Sequence, residues 1–181
     1  MSNVLGGWNV NVAVGKMPEK VASAFYDVFS KFFGAEYTPI AYLGEQLVSD
    51  SVNHAILAEQ LLTTGRDTKN VVIIVLNEKE ETFSLVSITP VVEGYEGLGG
   101  VKIDVKTNIP ADAKASYDVC MAGFVGSNVE PFALLATQIT KGTDYIFVAE
   151  SQAVAPGTSK KVVLLTTNEL TKSVKFETIL G

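Results

Sequence analysis

The chain has 181 residues, 47% of them hydrophobic and 19% charged, with a formal net charge of −6. This composition supplies a folded core and excludes global disorder, and the acidic balance argues against a nucleic-acid backbone or an anionic membrane surface as partner. One cysteine and one histidine exclude an intrachain disulfide framework and leave too few ligands for zinc, so no metal and no cofactor are expected. The longest apolar runs are of strand length and do not suit a membrane span. The opening "MSNVLGGWNV" has no basic segment followed by an apolar one. The expectation is therefore a cytoplasmic chain or the mature fragment of an exported one.

In chain order, Trp8, Val10, Val12 and Val14 alternate with polar residues and predict a first strand. Pro18 suits the first turn of a helix, and Val21, Phe25, Val28, Phe29 and Phe32 form one apolar stripe at helical spacing. Gly34 is a candidate C-terminal cap. Strand signals follow in hairpin spacing at 40–48, 52–63, 70–77 and 82–92, the last two joined by the polar turn "NEKEE". After "EGYEG" (Glu93 to Gly97) the same order returns: a strand with Val101, Ile103 and Val105, then Pro110, Gly126, and strands at 132–140, 144–154, 160–167 and 172–180.

The return is a repeat. A shift of about 92 residues places Leu5-Gly6-Gly7 on Leu98-Gly99-Gly100, Pro39 on Pro131, and Gln46 on Gln138. It also places Ala58-Glu59 on Ala149-Glu150 and Asn77-Glu78 on Asn168-Glu169. Two domains are predicted, 1–94 and 98–181, each of order β-α-β-β-β-β. One helix against an antiparallel sheet makes the expected class α+β, in two layers. Charge is unequal between the halves: residues 1–94 carry six Lys/Arg and eleven Asp/Glu, residues 95–181 eight and nine.

At the hairpins the chain resembles the cystatin superfamily, inhibitors of papain-like cysteine proteases with one helix wrapped by a four- or five-stranded antiparallel sheet. "LGGW" (Leu5 to Trp8) resembles the N-terminal glycine element of that family. Gln46-Leu47-Val48-Ser49-Asp50 and Gln138-Ile139-Thr140-Lys141-Gly142 resemble its Q-x-V-x-G loop. The resemblance implies two tandem cystatin-like domains that bind protein through N-terminal glycines and hairpin tips. Carried onto this chain, the binding residues are Gly6, Gly7, Trp8, Gln46, Val48, Gln138, Thr140 and Gly142. The first copy departs from the pattern with Ser49-Asp50 where Gly is expected, and neither copy has the family's Pro-Trp tip.

Other residues have plainer readings. Cys120 aligns with Phe29 on the helix stripe and is expected to be a buried, inert thiol. His54, aligned with Tyr145, is expected half-buried on a strand. Glu59 and Glu150 are read as solvent-facing strand carboxylates, and residues 78–81 as a solvated hairpin tip. "GLGG" (Gly97 to Gly100) precedes a strand and is a turn, not a phosphate loop. Gln46 and Gln138 are read either as bases of a binding tip or as amides that tie the hairpin to backbone. The expected function is a non-enzymatic protein-binding module. Its partner is another protein, a papain-like cysteine protease being the class the resemblance implies, or a second copy of the chain. A structural, self-assembling role and a small apolar ligand held by the sheet stay open as alternatives.

Overall fold

The computed structural model describes residues 6–64 and 68–181. The chain divides into two compact units, Met1–Val91 and Val92–Gly181. The first comprises β1 (Trp8–Val14), α1 (Glu19–Phe29), β2 (Ala35–Val48), β3 (Ser51–Leu62), β4 (Thr68–Lys79) and β5 (Thr82–Glu93), the unit boundary falling in the last residues of β5. The second comprises β6 (Val101–Lys106), α2 (Ala111–Met121), β7 (Ser127–Thr140), β8 (Gly142–Ala153), β9 (Lys161–Asn168) and β10 (Ser173–Leu180). Each set of strands forms one antiparallel sheet, in the orders β1-β2-β3-β4-β5 and β10-β9-β8-β7-β6. Leu5 of the "LGGW" element lies outside the described residues.

The fold class differs from the expectation. Strands hold 60% of the described chain and helices 13%, so the α+β class of two cystatin-like domains is corrected to a mostly-β chain built on two five-stranded antiparallel sheets. The physical reason lies in burial. Val72, Ile74 and Leu76 of β4 face the core with Val21 and Phe25 of α1. The intervening Val71 and Ile73 on the opposite face are also buried, as are Ala55 and Leu57 of β3. In the second unit Val163 and Leu165 share a core with Ala113 of α2, while Val162 and Leu164 on the other face are buried as well. A sheet buried on both faces reads as a continuous apolar run, here "VVIIVL" and "VVLL", and not as an alternation. The eleven-residue helices serve only one of those faces.

Both helices start directly after a proline, where the missing N–H has no intrahelical partner in any case. Glu19 and Asp112 lie in their first turns, where a negative charge suits the helix dipole. The apolar stripe expected to reach Phe32 stops with the helix at Phe29. Phe32 sits in the following turn, its ring 5.0 Å from Phe29 and 5.9 Å from Tyr37. On α2 the residues turned to the sheet are small, Ala113 and Ser116, and Ser116 Oγ meets Thr167 Oγ1 of β9 at 2.9 Å.

Strands β2 and β7 begin at Ala35 and Ser127, five residues earlier than predicted at each site. Proline breaks a ladder unless a bulge absorbs it. The register shifts at Pro39/Ala41 and again at Tyr42/Gly44, and in the second sheet at Pro131/Ala133 and Leu134/Ala136. In the first unit β1 crosses so close at the second bulge that a Cβ on Gly44 would lie 2.3 Å from the Asn9 carbonyl oxygen. Of the outer strands, β10 carries Lys175 and Glu177, whereas β5 has no charged residue from Thr82 to Val92.

Phe25 and Phe147 are fully buried centres of the two helix-side cores. Phe25→Ala and Phe147→Ala should each destabilise their own unit by about 3–5 kcal/mol. Urea unfolding checks this: the fluorescence of Trp8 (the sole tryptophan) reports the first unit, and circular dichroism reports both.

Candidate functional site

The repeated hairpins are closed by side-chain amides. In the first unit Trp8, Gln46, Asn53 and Asn77 stand opposite one another across β1, β2, β3 and β4. Gln46 Nε2 donates to the Gly6 carbonyl oxygen at 2.9 Å, and Asn53 Nδ2 donates to Gln46 Oε1 at 2.9 Å. Asn77 Nδ2 reaches Asn53 Oδ1 at 2.8 Å and Ser51 Oγ at 3.0 Å. The row runs over the sheet face opposite α1, in phase with Ala55, Leu57, Val71 and Ile73.

The second unit repeats the arrangement with two changes of residue type, one of them Val101 opposite Gln138 where Trp8 stands opposite Gln46. Gln138 Nε2 donates to the Gly99 carbonyl oxygen at 2.7 Å. Asp144 takes the place of Asn53, and Asn168 that of Asn77. Asn168 Nδ2 donates to Asp144 Oδ1 at 2.6 Å and to the Lys141 carbonyl oxygen at 3.2 Å, while its Oδ1 accepts the backbone N–H groups of Leu170 and Thr171, each at 3.1 Å. Thr140 Oγ1 donates to Asp144 Oδ1 at 3.2 Å. One buried amide therefore holds the β7–β8 tip, the β9–β10 tip and itself in register.

These contacts place the residues expected to bind protein. Gly6 and Gly7 are exposed just ahead of β1, Trp8 is half-buried, and Val48 is exposed at the β2–β3 tip. Gln46 and Gln138 have their amide donors committed to glycine carbonyls. Gly142 has φ +96°, and a Cβ there would lie 3.0 Å from Leu170 Cβ and 3.1 Å from Asn168 Oδ1, so the two tips touch because this residue has no side chain. The first unit builds its tip from charge instead: Asp50 and Lys79 pair at 2.5 Å.

The second unit carries an apolar rim at this end that sequence reasoning missed. Leu98 is fully exposed, Ile139 is 66% exposed and Leu170 is 65% exposed. Leu98 precedes Gly99, Ile139 follows Gln138 on the other strand face, and Leu170 lies against Gly142, three chain segments that the amides of Gln138 and Asn168 tie together. The repeat alignment of Asn77 with Asn168 held the signal for the amide rows, but read as turn chemistry it concealed a cross-strand role.

A second cluster lies on the helix side of the first unit. His54 is 3% exposed and not half-buried as expected, because both of its ring nitrogens are used. Nδ1 lies 2.9 Å from the Tyr42 hydroxyl and Nε2 lies 2.9 Å from Glu78 Oε2. A carboxylate only accepts, so in the neutral ring Nε2 carries the proton and Nδ1 receives the tyrosine O–H. Glu78 Oε1 in turn accepts from Lys20 Nζ of α1 at 2.6 Å. Glu78 is thus turned inward from the expected solvated tip. The Lys20 hydrogen bond, aided by His54, holds its carboxyl below the usual range against the opposing effect of burial. Burial, with the Glu45 and Glu78 carboxylates, pushes the Tyr42 phenol up. In the second unit Tyr145 replaces His54 and reaches the helix directly, donating to Asp112 Oδ2 at 3.2 Å.

The remaining candidates have structural partners. Glu59 and Glu150 each pair with a lysine near the start of the next strand, Lys69 at 3.0 Å and Lys160 at 2.9 Å. Cys120 is half-buried on α2, so the fully buried thiol expected from the stripe is not found. Among the described residues no group of three or more His, Cys, Asp and Glu could hold a metal ion. A depression of about 160 Å³ beside Glu130, Glu150 and Lys160 is polar and open to solvent.

Two measurements bear on this geometry. Asn168→Ala should cost about 2–3 kcal/mol in urea unfolding, since buried donors and acceptors lose their partner, and should broaden the amide resonances of Leu170 and Thr171. Glu78 has a lowered carboxyl pKa in the folded chain, so its contribution to stability is present above the ordinary glutamate range, about pH 4.3, and is lost as pH falls through the folded value. Urea unfolding repeated as the pH is lowered from neutral should show a steeper acid loss of stability in the native chain than in Glu78→Gln. No protein-family model, curated protein or solved structure matches this chain.

Proposed function

We propose that this chain is a non-enzymatic protein-binding module whose second unit inserts its apolar rim into a cleft of a partner protein. The cleft class is that of a papain-like cysteine protease, as the resemblance of the Gln-containing hairpins implies. The observation that carries the reading is that exposed Leu98, Ile139 and Leu170 lie on three chain segments tied at one end of the unit by the amides of Gln138 and Asn168. Exposed aliphatic side chains gain free energy when a partner removes them from water. Because the amides of Gln138 and Asn168 fix the segments beforehand, little ordering cost remains at binding.

Chemistry of the other clusters supports a non-catalytic reading. The imidazole of His54 is shielded from solvent and saturated by Tyr42 and Glu78, which suits a structural tie better than proton transfer to a substrate. The β4–β5 tip of the first unit carries Glu80 and Glu81 side by side, costly to bury unpaired, which favours the second unit as the binding end.

Titration of papain with the full chain, followed by dye-substrate hydrolysis, tests the proposal. The expected result is competitive inhibition in the micromolar range or tighter. Leu98→Asp, Ile139→Asp and Leu170→Asp should each weaken it by about tenfold or more, as loss of a buried aliphatic anchor does. Undiminished hydrolysis at a large molar excess of the chain rejects the protease cleft as partner.

A further inference from the structure

We infer that the chain pairs with a second copy of itself along β10, in one register centred on Phe176. This contact uses a different surface from the apolar rim and stands independently of it. β10 is an outer strand of its sheet and pairs with β9 alone, so one side of its backbone is open to another strand. Its middle is exposed from Lys175 to Thr178. Val174 packs on the core beneath α2 and Phe176 lies 5.2 Å from Phe124, ring to ring. By alternation Lys175 and Glu177 project from the opposite face. Among the described residues neither has an ion-pair partner.

The register follows from symmetry and charge. Along an antiparallel edge the N–H and C=O groups of alternate residues point to the open side, so a two-fold pairing must be centred on a residue and not between two. Centring on Lys175 sets two lysines opposite each other, and centring on Glu177 sets two glutamates opposite. Centring on Phe176 places Lys175 opposite Glu177 of the second copy, and symmetry makes that pair twice. Opposite charges across strands stabilise and like charges destabilise. Pairing with β9 is regular from Ser173 to Thr178 and shifts beyond it, so Phe176 and both of its charged neighbours lie within the regular segment. In this register the two Phe176 rings, 41% exposed in one copy, meet at the axis, each backed by its own Phe124.

Sedimentation equilibrium of the full chain tests the pairing, with circular dichroism to show that each variant is folded. The native chain should be a dimer. Lys175→Glu and Glu177→Lys should each weaken association by about tenfold or more, because both symmetric pairs become repulsive. The combined swap should restore it. In a Cys120→Ser background, Phe176→Cys should form a disulfide-linked dimer on mild oxidation, since opposed residues of an antiparallel pair have Cα atoms about 4.5–5.5 Å apart. A monomer at high concentration overturns the inference. So does a dimer that neither charge change weakens, or one that the swap fails to rescue.

Discussion

A carboxamide near the end of the fourth strand in each unit, Asn77 or Asn168, holds together chain segments that the strand ladder alone would leave to fray. Hairpin ends have few neighbours, and their backbone groups compete with water. A side chain that both donates and accepts can bridge two tips at once, which a hydroxyl or an ammonium cannot do equally well. Asn168 uses that capacity in full. Its nitrogen holds one tip and its oxygen the other. Leu170, whose N–H that oxygen accepts, therefore projects from a fixed turn.

The helix side of each unit uses different chemistry for the same purpose. In the first, four polar groups from α1, β2, β3 and β4 form a continuous chain, Lys20–Glu78–His54–Tyr42, within an apolar setting. In the second, one tyrosine reaches the helix without intermediaries. A buried charge is tolerable only when its partners are fixed, and the longer relay supplies that for Glu78. The tie between third strand and helix holds the same position in both units and differs in its chemistry.

The internal repeat was legible because Gln46/Gln138, Asn77/Asn168 and Ala58-Glu59/Ala149-Glu150 recur in order, and each pair occupies matching positions in its own sheet. What could not be read was the weight of sheet against helix. Runs such as "VVIIVL" do not declare which of their two faces meets a helix, and Pro39 and Pro131 conceal strands that bulges carry through. The inward turn of Glu78 was hidden for another reason. Its neighbours Lys79, Glu80 and Glu81 make the stretch look uniformly solvated, and only strand phase separates it from them. Likewise the apolar rim draws on residues about 30 to 70 positions apart, a proximity that local pattern does not encode.

The uncharged span of β5 has a cost for the chain before it is fully folded. Thr82 to Val92 combines β-branched residues with an absence of repelling charge, the composition that favours strand-to-strand clumping of partly folded chains. Glu80, Glu81 and Glu93 flank the span as gatekeepers, and Pro90 within it removes one backbone donor. Capture of this segment by β4 therefore shields the partly folded chain from such clumping.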